Sequence, residues 1–361
     1  MNEVLEFWNQ QSLLLQVISI IVTSISFILA GYLTLLRIQK TRIEIKEKKT
    51  NIDITSISID SYNSSLELEP SNYNLCHSST KEFYRLKYQS KRIKEFELRH
   101  LNDIHKLLKI EKPNVVDIGC ADGISTIDRF SNPKKWGNIL GIDNQLSLIN
   151  EAKQNINQKN FTFTTLDIIE LCNKNVNLKD YTQAPIQLIY ATLTIHHLGK
   201  QNQLRVLKYL WNQLDDNGIL YIRSFDDDLK LTSSKYTALI DELIMLSATI
   251  PGASDRYHGR DLFQQLFSLT NSNKDIKMDY FITDTTQMNK EEKELFFQYA
   301  YGFRLERIKT TCNNNQTNTS FAETYKRAEE IINVIKNAFV HNDDFYSLST
   351  ECIAYAKKNV K

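Results

Sequence analysis

Three aspartates in this sequence each close a short apolar run. Asp117 ends "VVD", Asp143 ends "LGID" and Asp167 ends "FTTLD". A carboxylate at the end of a buried segment is costly unless something pairs with it. Each one therefore implies a donor: a hydroxyl, an amine or a cationic centre. Asp117 is followed by Gly119, Ala121 and Gly123 at alternate positions, and small residues at that spacing let the backbone come close to a ligand. The acid in front of this turn would repel a pyrophosphate, whereas it suits a cationic partner. After a fourth apolar run, "IQLIYATL", stand His196 and His197, whose imidazoles titrate near neutrality and are candidates for taking up a proton.

These residues must be held by regular elements. The segments "NVVDIG", "NILGIDN", "FTFTTLD", "IQLIYATL" and "GILYIRSF" read as buried strands. Helical spacing falls between them, clearest in "QLSLINEAKQNINQK" and "KQNQLRVLKYLWNQLDD". Such alternation predicts an α/β fold with a parallel sheet covered on both faces. Ligands bind such sheets beyond the carboxyl ends of the strands, near the switch in strand order, and the first three strands each bring an acid to that edge. A dinucleotide-binding turn is excluded by count, since G-x-G-x-x-G from Gly119 meets Ala121 and then Ile124.

"VVDIGCADG" resembles the first motif of the class I S-adenosylmethionine (SAM) dependent methyltransferases, D/E-x-G-x-G-x-G, with Ala121 in place of the usual middle glycine. "LGIDNQLSLINEAKQN" is similar to their second-strand motif, and "FTTLDIIEL" to the acid after their third strand. The stretch from "IQLIYATLTIHHL" to "GILYIRSFDDD" looks like their fourth and fifth strands. The resemblance covers residues 80 to 230 well and the remainder more loosely. It implies a Rossmann-like, seven-stranded sheet with helices on both faces. It also implies SAM as cofactor, held by Asp117, Gly119, Cys120, Ala121 and Gly123 at the methionine end, Asp143 and Asn144 at the ribose, Asp167 and Ile168 at the adenine, and Tyr190 and Ala191 below. Arg85 and Gln89 match a family habit in which the helix before the core covers the cofactor. A sulfonium methyl is already activated, so positioning carries most of the chemistry. A protic acceptor still needs a base, for which His196 and His197 are the candidates.

The rest of the domain is read from the same resemblance. "DYFITD" looks like the sixth strand, and "FYSLSTECIAYAKK" like an antiparallel seventh that closes the sheet. Residues 285–340 are expected to be a helical insert over the substrate pocket, so that the core comprises 110–284 and 341–361. Arg223 and the run Asp226, Asp227, Asp228 are candidates for the acceptor pocket, against the plainer reading of a solvated loop. Arg256, Tyr257, His258 and Arg260 are candidates for gripping an anionic acceptor. Helical spacing over residues 79–110 predicts two segments with a solvated basic face.

The beginning of the chain carries a different signal. Residues 13–36 are apolar and uncharged; as a helix they would reach about 36 Å, more than the roughly 30 Å of a bilayer's hydrocarbon core. Residues 1–12 contain no Lys or Arg, while Arg37, Lys40, Arg42, Lys46, Lys48 and Lys49 follow the run. The positive-inside rule then predicts a single membrane span with a short N-terminus outside and residues 81–361 in the cytoplasm. Residues 37–80 read as a basic juxtamembrane segment and linker. Forty-four basic against 43 acidic residues, a net charge of +1, give no global pull toward nucleic acid. Five scattered cysteines without a C-x-x-C suggest a reducing compartment and no dedicated metal site. The expected function is a membrane-anchored methyltransferase acting on a small or lipid-like acceptor. The alternative is a membrane-anchored SAM-binding or scaffold protein without turnover.

Overall fold

The computed structural model describes residues 80–250, 254–314, 319–342 and 345–359. The expected segments 1–12 and 13–36, and all of 37–80 but its last residue, lie outside the described residues. Among the described residues no helix is long and apolar enough to cross a membrane.

Helix α1 (Thr80–Leu108) is one helix of 29 residues, where the apolar spacing predicts two. It contains no glycine or proline to interrupt it. Its inner stripe, Ile93, Leu101, Ile104 and Leu108, is buried, and each such side chain removed from water is worth about 1.5–3 kcal/mol. Glu97 sits on the same stripe, fully buried. The basic residues are not all solvated: the Arg92 side chain is only 10% exposed and pairs with Glu351.

The core then alternates strand and helix: β1 (Val115–Ile118), α2 (Ile124–Phe130), β2 (Ile139–Asp143), α3 (Leu146–Asn155), β3 (Phe161–Thr165), α4 (Ile168–Lys174), α5 (Lys179–Thr182), β4 (Leu188–Thr192), α6 (Lys200–Gln213) and β5 (Ile219–Phe225). These five strands are parallel in the order β3-β2-β1-β4-β5. The order reverses at β1, so the crevice between the ends of β1 and β4 is the topological switch point.

A short β6 (Leu231–Thr232), α7 (Ser234–Ala248), α8 (His258–Thr270) and β7 (Ile276–Asp284) follow. Then come α9 (Lys290–Phe297), α10 (Phe303–Asn314), α11 (Thr319–Lys336) and β8 (Ser347–Lys357). The last strand, β8, runs antiparallel as the resemblance implies, but it completes the sheet from inside. β8 is interior, antiparallel to β5 on one side and β7 on the other, and β7 forms the edge. Burial explains the difference: β8 is buried along nearly its whole length, as a strand covered on both faces must be, whereas β7 keeps an exposed side. With β6 the sheet has eight strands.

Val116, Ile118 and Ile189 pack against α6 and α8 on one face. Val115, Leu188 and Tyr190 pack beneath α1 on the other. A separate core joins α9, α10 and α11, and includes Tyr236, Ile240 and Leu243 of α7. The helical cap therefore has a part before β7, inside the stretch 110–284 that the sequence assigns to the core.

Candidate active site

The turn after β1 is built by its backbone. Gly119 and Gly123 have φ of 75° and 73°, and between them Ala121 has φ of 50°. That is left-handed space, where glycine is at ease and alanine is strained. A Cβ on Gly119 would collide with Thr194, whose hydroxyl donates to the Ile118 carbonyl at 2.9 Å. The amides of Gly119 and Cys120 donate to the Ile142 carbonyl at 2.8 and 3.1 Å, which curls the turn over the end of β2. Asp143 fixes it there, accepting from the Ala121 amide at 3.0 Å and the Gln145 amide at 2.9 Å. Asn144 beside it is exposed.

Asp117 lies beneath the turn, buried, and accepts a 2.5 Å hydrogen bond from Thr126. Burial pushes its carboxyl up to about 7, against the Thr126 hydrogen bond and with help from the Glu97 charge. Burial also drives the Cys120 thiol well up, so it stays a neutral packing group. Asp167 caps α4, accepting from the amides of Ile169 and Glu170 at 2.7 and 3.3 Å through one oxygen. Ile168 and Ala191 belong to the buried core. The Tyr190 ring is buried on the α1 face, stacked on Tyr221 at 5.0 Å, which leaves only its backbone for the strand end.

Beyond β4, Leu193, like Ala121, is a non-glycine in left-handed space, at φ 55°. The histidine pair then divides. His196 is buried, and its Nδ1 has no hydrogen-bond partner among the described residues. Burial, followed by His197, Arg256, His258 and Arg307, pushes its imidazole well below the usual range; the neighbourhood disfavours the imidazolium a base would become. His197 is exposed, its ring 4.0 Å from that of His196.

Helix α1 overlies α2. Ser90 accepts from Ser125 at 2.8 Å and from Arg129 at 2.9 Å. Glu97 pairs with Arg129 at 2.7 Å and Arg223 at 3.1 Å, tying the helix to the sheet. Next to Ser90, the buried Gln89 Nε2 has no partner among the described residues, while its Oε1 accepts from Arg85 at 3.4 Å.

The acids after β5 are not a solvated loop. Arg223 is inside β5, held by Glu97 and Glu351. Asp226 and Asp227 are buried, and only Asp228 is exposed. Asp227 collects Lys230, Arg256 and Arg304 at 2.6, 3.0 and 2.6 Å. Asp226 binds Arg260 at 2.7 Å. His258 is buried between Ser224 and Gln265, each at 2.9 Å.

A family model described as a methyltransferase domain matches residues 110–333. The chain belongs to this methyltransferase family. Among solved structures, the methyltransferase is similar to the plantazolicin methyltransferase BamL, determined in complex with a triazolic desmethylPZN analogue and SAH. Identity is 15% over 80% of this chain and 93% of that one, with a TM-score of 0.45. It is also similar to a SAM-dependent methyltransferase from Archaeoglobus fulgidus, at 15% identity over 78% of this chain and 100% of that one, with a TM-score of 0.44. No curated protein matches it.

The methyltransferase thus gathers Asp117, Gly119, Ala121, Gly123 and Asp143 in one hydrogen-bonded turn. Asp167 stands two strands from Asp117 at the same edge. Sequence reasoning missed Thr126 and Thr194, which hold the turn, and Lys230 and Arg304. Thr126 carried a legible signal, being on the helix that the turn opens. Arg304 carried none, because its partner lies in a distant loop.

Proposed function

We propose that this methyltransferase uses S-adenosyl-L-methionine to methylate a small or lipid-like acceptor at the cytoplasmic face of a membrane. One observation carries the reading: the end of β1 and the helix α1 that overlies α2 present two opposite unmet needs. Asp117 is a buried carboxyl raised to about 7, which a cation beside it would relieve. Gln89 Nε2 is a buried donor without an acceptor among the described residues. An amino-acid end, ammonium and carboxylate together, satisfies both. The residues present therefore fit the cofactor.

When bound, SAM supplies an electrophilic sulfonium methyl. Asp117 receives the ammonium and Gln89 donates to the carboxylate. Asp143, already oriented by two amides, accepts the ribose hydroxyls. Asp167 has one oxygen committed to capping and offers the other near the adenine. The cap helices exclude water from the acceptor. No strong base is needed when the acceptor arrives ionised, which agrees with the cationic surroundings of His196.

Membrane attachment rests on residues 13–36 and their basic flank. A tether raises the effective concentration of acceptors resident in lipid. The test is transfer of labelled methyl from SAM into fractionated host extract by the full chain. Label in small molecules of the membrane fraction is the expected result; no label in any fraction overturns the activity. A reporter fused to the C-terminus that is active only outside the cytoplasm overturns the orientation.

A further inference from the structure

Beyond the end of β5 lies a narrow pocket lined by Arg85, Phe225, Lys230, Arg256, Tyr299 and Phe303, among others, with no carboxylate in its lining. The wide helical turn Gln298–Gly302 carries Tyr299 into it. Its neighbourhood holds more positive than negative charge. Lys230, Arg256 and Arg304 converge on one acid, Asp227. Their side chains are 8%, 9% and 0% exposed, and that of Asp227 is 1% exposed. The acid next along β8, Glu351, is already shared between Arg92 and Arg223. Three buried cations around one buried anion is an unstable arrangement unless a further anion completes it. Burial, and then Arg304 and Arg256 acting against Asp227, lower the Lys230 ammonium to about 7, a shift that a further anion beside it would reverse. Arg304 Nε is buried without a partner among the described residues.

The walls are aromatic. The Arg256 guanidinium lies 4.1 Å from the Phe225 ring centroid and 5.5 Å from that of Phe303, with Arg85 5.2 Å from Phe303. Phe225 also neighbours the His196 ring, at 5.8 Å. Phe225 thus stands between the pocket and the turn after β4 that carries His196.

We infer that the methyl acceptor carries an anionic group, a carboxylate or phosphate on an apolar or aromatic body, and that Lys230 and Arg256 receive that group between Phe225 and Phe303. The inference rests on the proposed transferase reading and narrows its acceptor. It sets acceptors with a charged head ahead of neutral ones.

The full chain, saturated with SAH, is titrated calorimetrically with benzoate, phenyl phosphate and benzamide, which share a ring and differ in charge. At least tenfold tighter binding of benzoate or phenyl phosphate than of benzamide is expected, and the tighter of the two identifies the anion. Lys230→Gln should weaken the anion tenfold or more and leave SAH binding unchanged. The same substitution should raise the melting temperature, because it removes one of the crowded cations; a purely structural ion pair would move it down. Equal binding of the three probes, or none, overturns the inference even where SAH binds. Failure of SAH itself to bind overturns the transferase reading instead. The comparison of probes on the unmutated chain stands whether or not the variant folds.

Discussion

Asp117 combines a cost and a use. Its folded-state carboxyl titrates near 7, above the ordinary aspartate range. Between that range and 7, the folded form therefore holds a proton that the unfolded chain has released. Stability from this group is present at low pH and declines as pH rises toward 7. Asp117→Asn should accordingly make the ligand-free protein more stable at pH 8 and flatten its stability between pH 4 and 7, as read by urea unfolding. The same change should weaken SAM binding at least tenfold at pH 8 by calorimetry. Were affinity unchanged, Asp117 would not be the partner of the ammonium. Ala121 makes a second residue-scale case. Its φ of 50° costs alanine about 1–2 kcal/mol, partly offset by the 0.5–1 kcal/mol of chain entropy that glycine loses on folding. Ala121→Gly should stabilise the protein by up to about 1 kcal/mol in thermal melts and preserve SAM binding.

Elements differ in how openly the sequence announces them. The first five strands were legible because each is a short run rich in aliphatic, aromatic and β-branched residues ended by an acid or a turn, and the acids mark the functional edge. The place of β8 was not legible, since pairing partners are chosen across the whole chain. Burial of Asp226 and Asp227 was hidden for the same reason: a triple aspartate reads as solvated until Arg256, Arg260 and Arg304 are brought to it from elsewhere. Helix α1 shows the point most sharply. Its apolar stripe was readable, yet Glu97 on that stripe makes sense only with Arg129 and Arg223 in view. Removing an acid that two buried cations share leaves uncompensated charge inside, at about 3–5 kcal/mol. Glu97→Gln should therefore lower stability by that order in denaturant titrations. Faster amide exchange is expected over residues 93–104, where α1 would loosen; unaltered exchange there would mean that apolar packing alone holds the helix.

At the scale of the whole molecule, the described residues from Thr80 onward belong to one compact unit. A chain lacking residues 1–66 should bind SAM with the affinity of the full chain but shift from the membrane to the supernatant fraction on centrifugation of lysates. Recovery of the shortened chain in membranes would move the attachment signal into the catalytic unit.

The interior place of β8 has a consequence for how the protein is made. Its partners β5, β6 and β7 all precede it in the sequence, and residues 347–357 pair with all three. During synthesis those strands leave the ribosome with open edges, and Glu351, which neutralises Arg92 and Arg223, has not yet arrived. Open edges and unmatched buried charge are what chaperones detect and what promotes aggregation. Completion of the sheet is thus deferred until the ribosome has delivered β8, and a nascent chain stalled before Ser347 should be protease-sensitive across β7 while β1 to β4 are already protected.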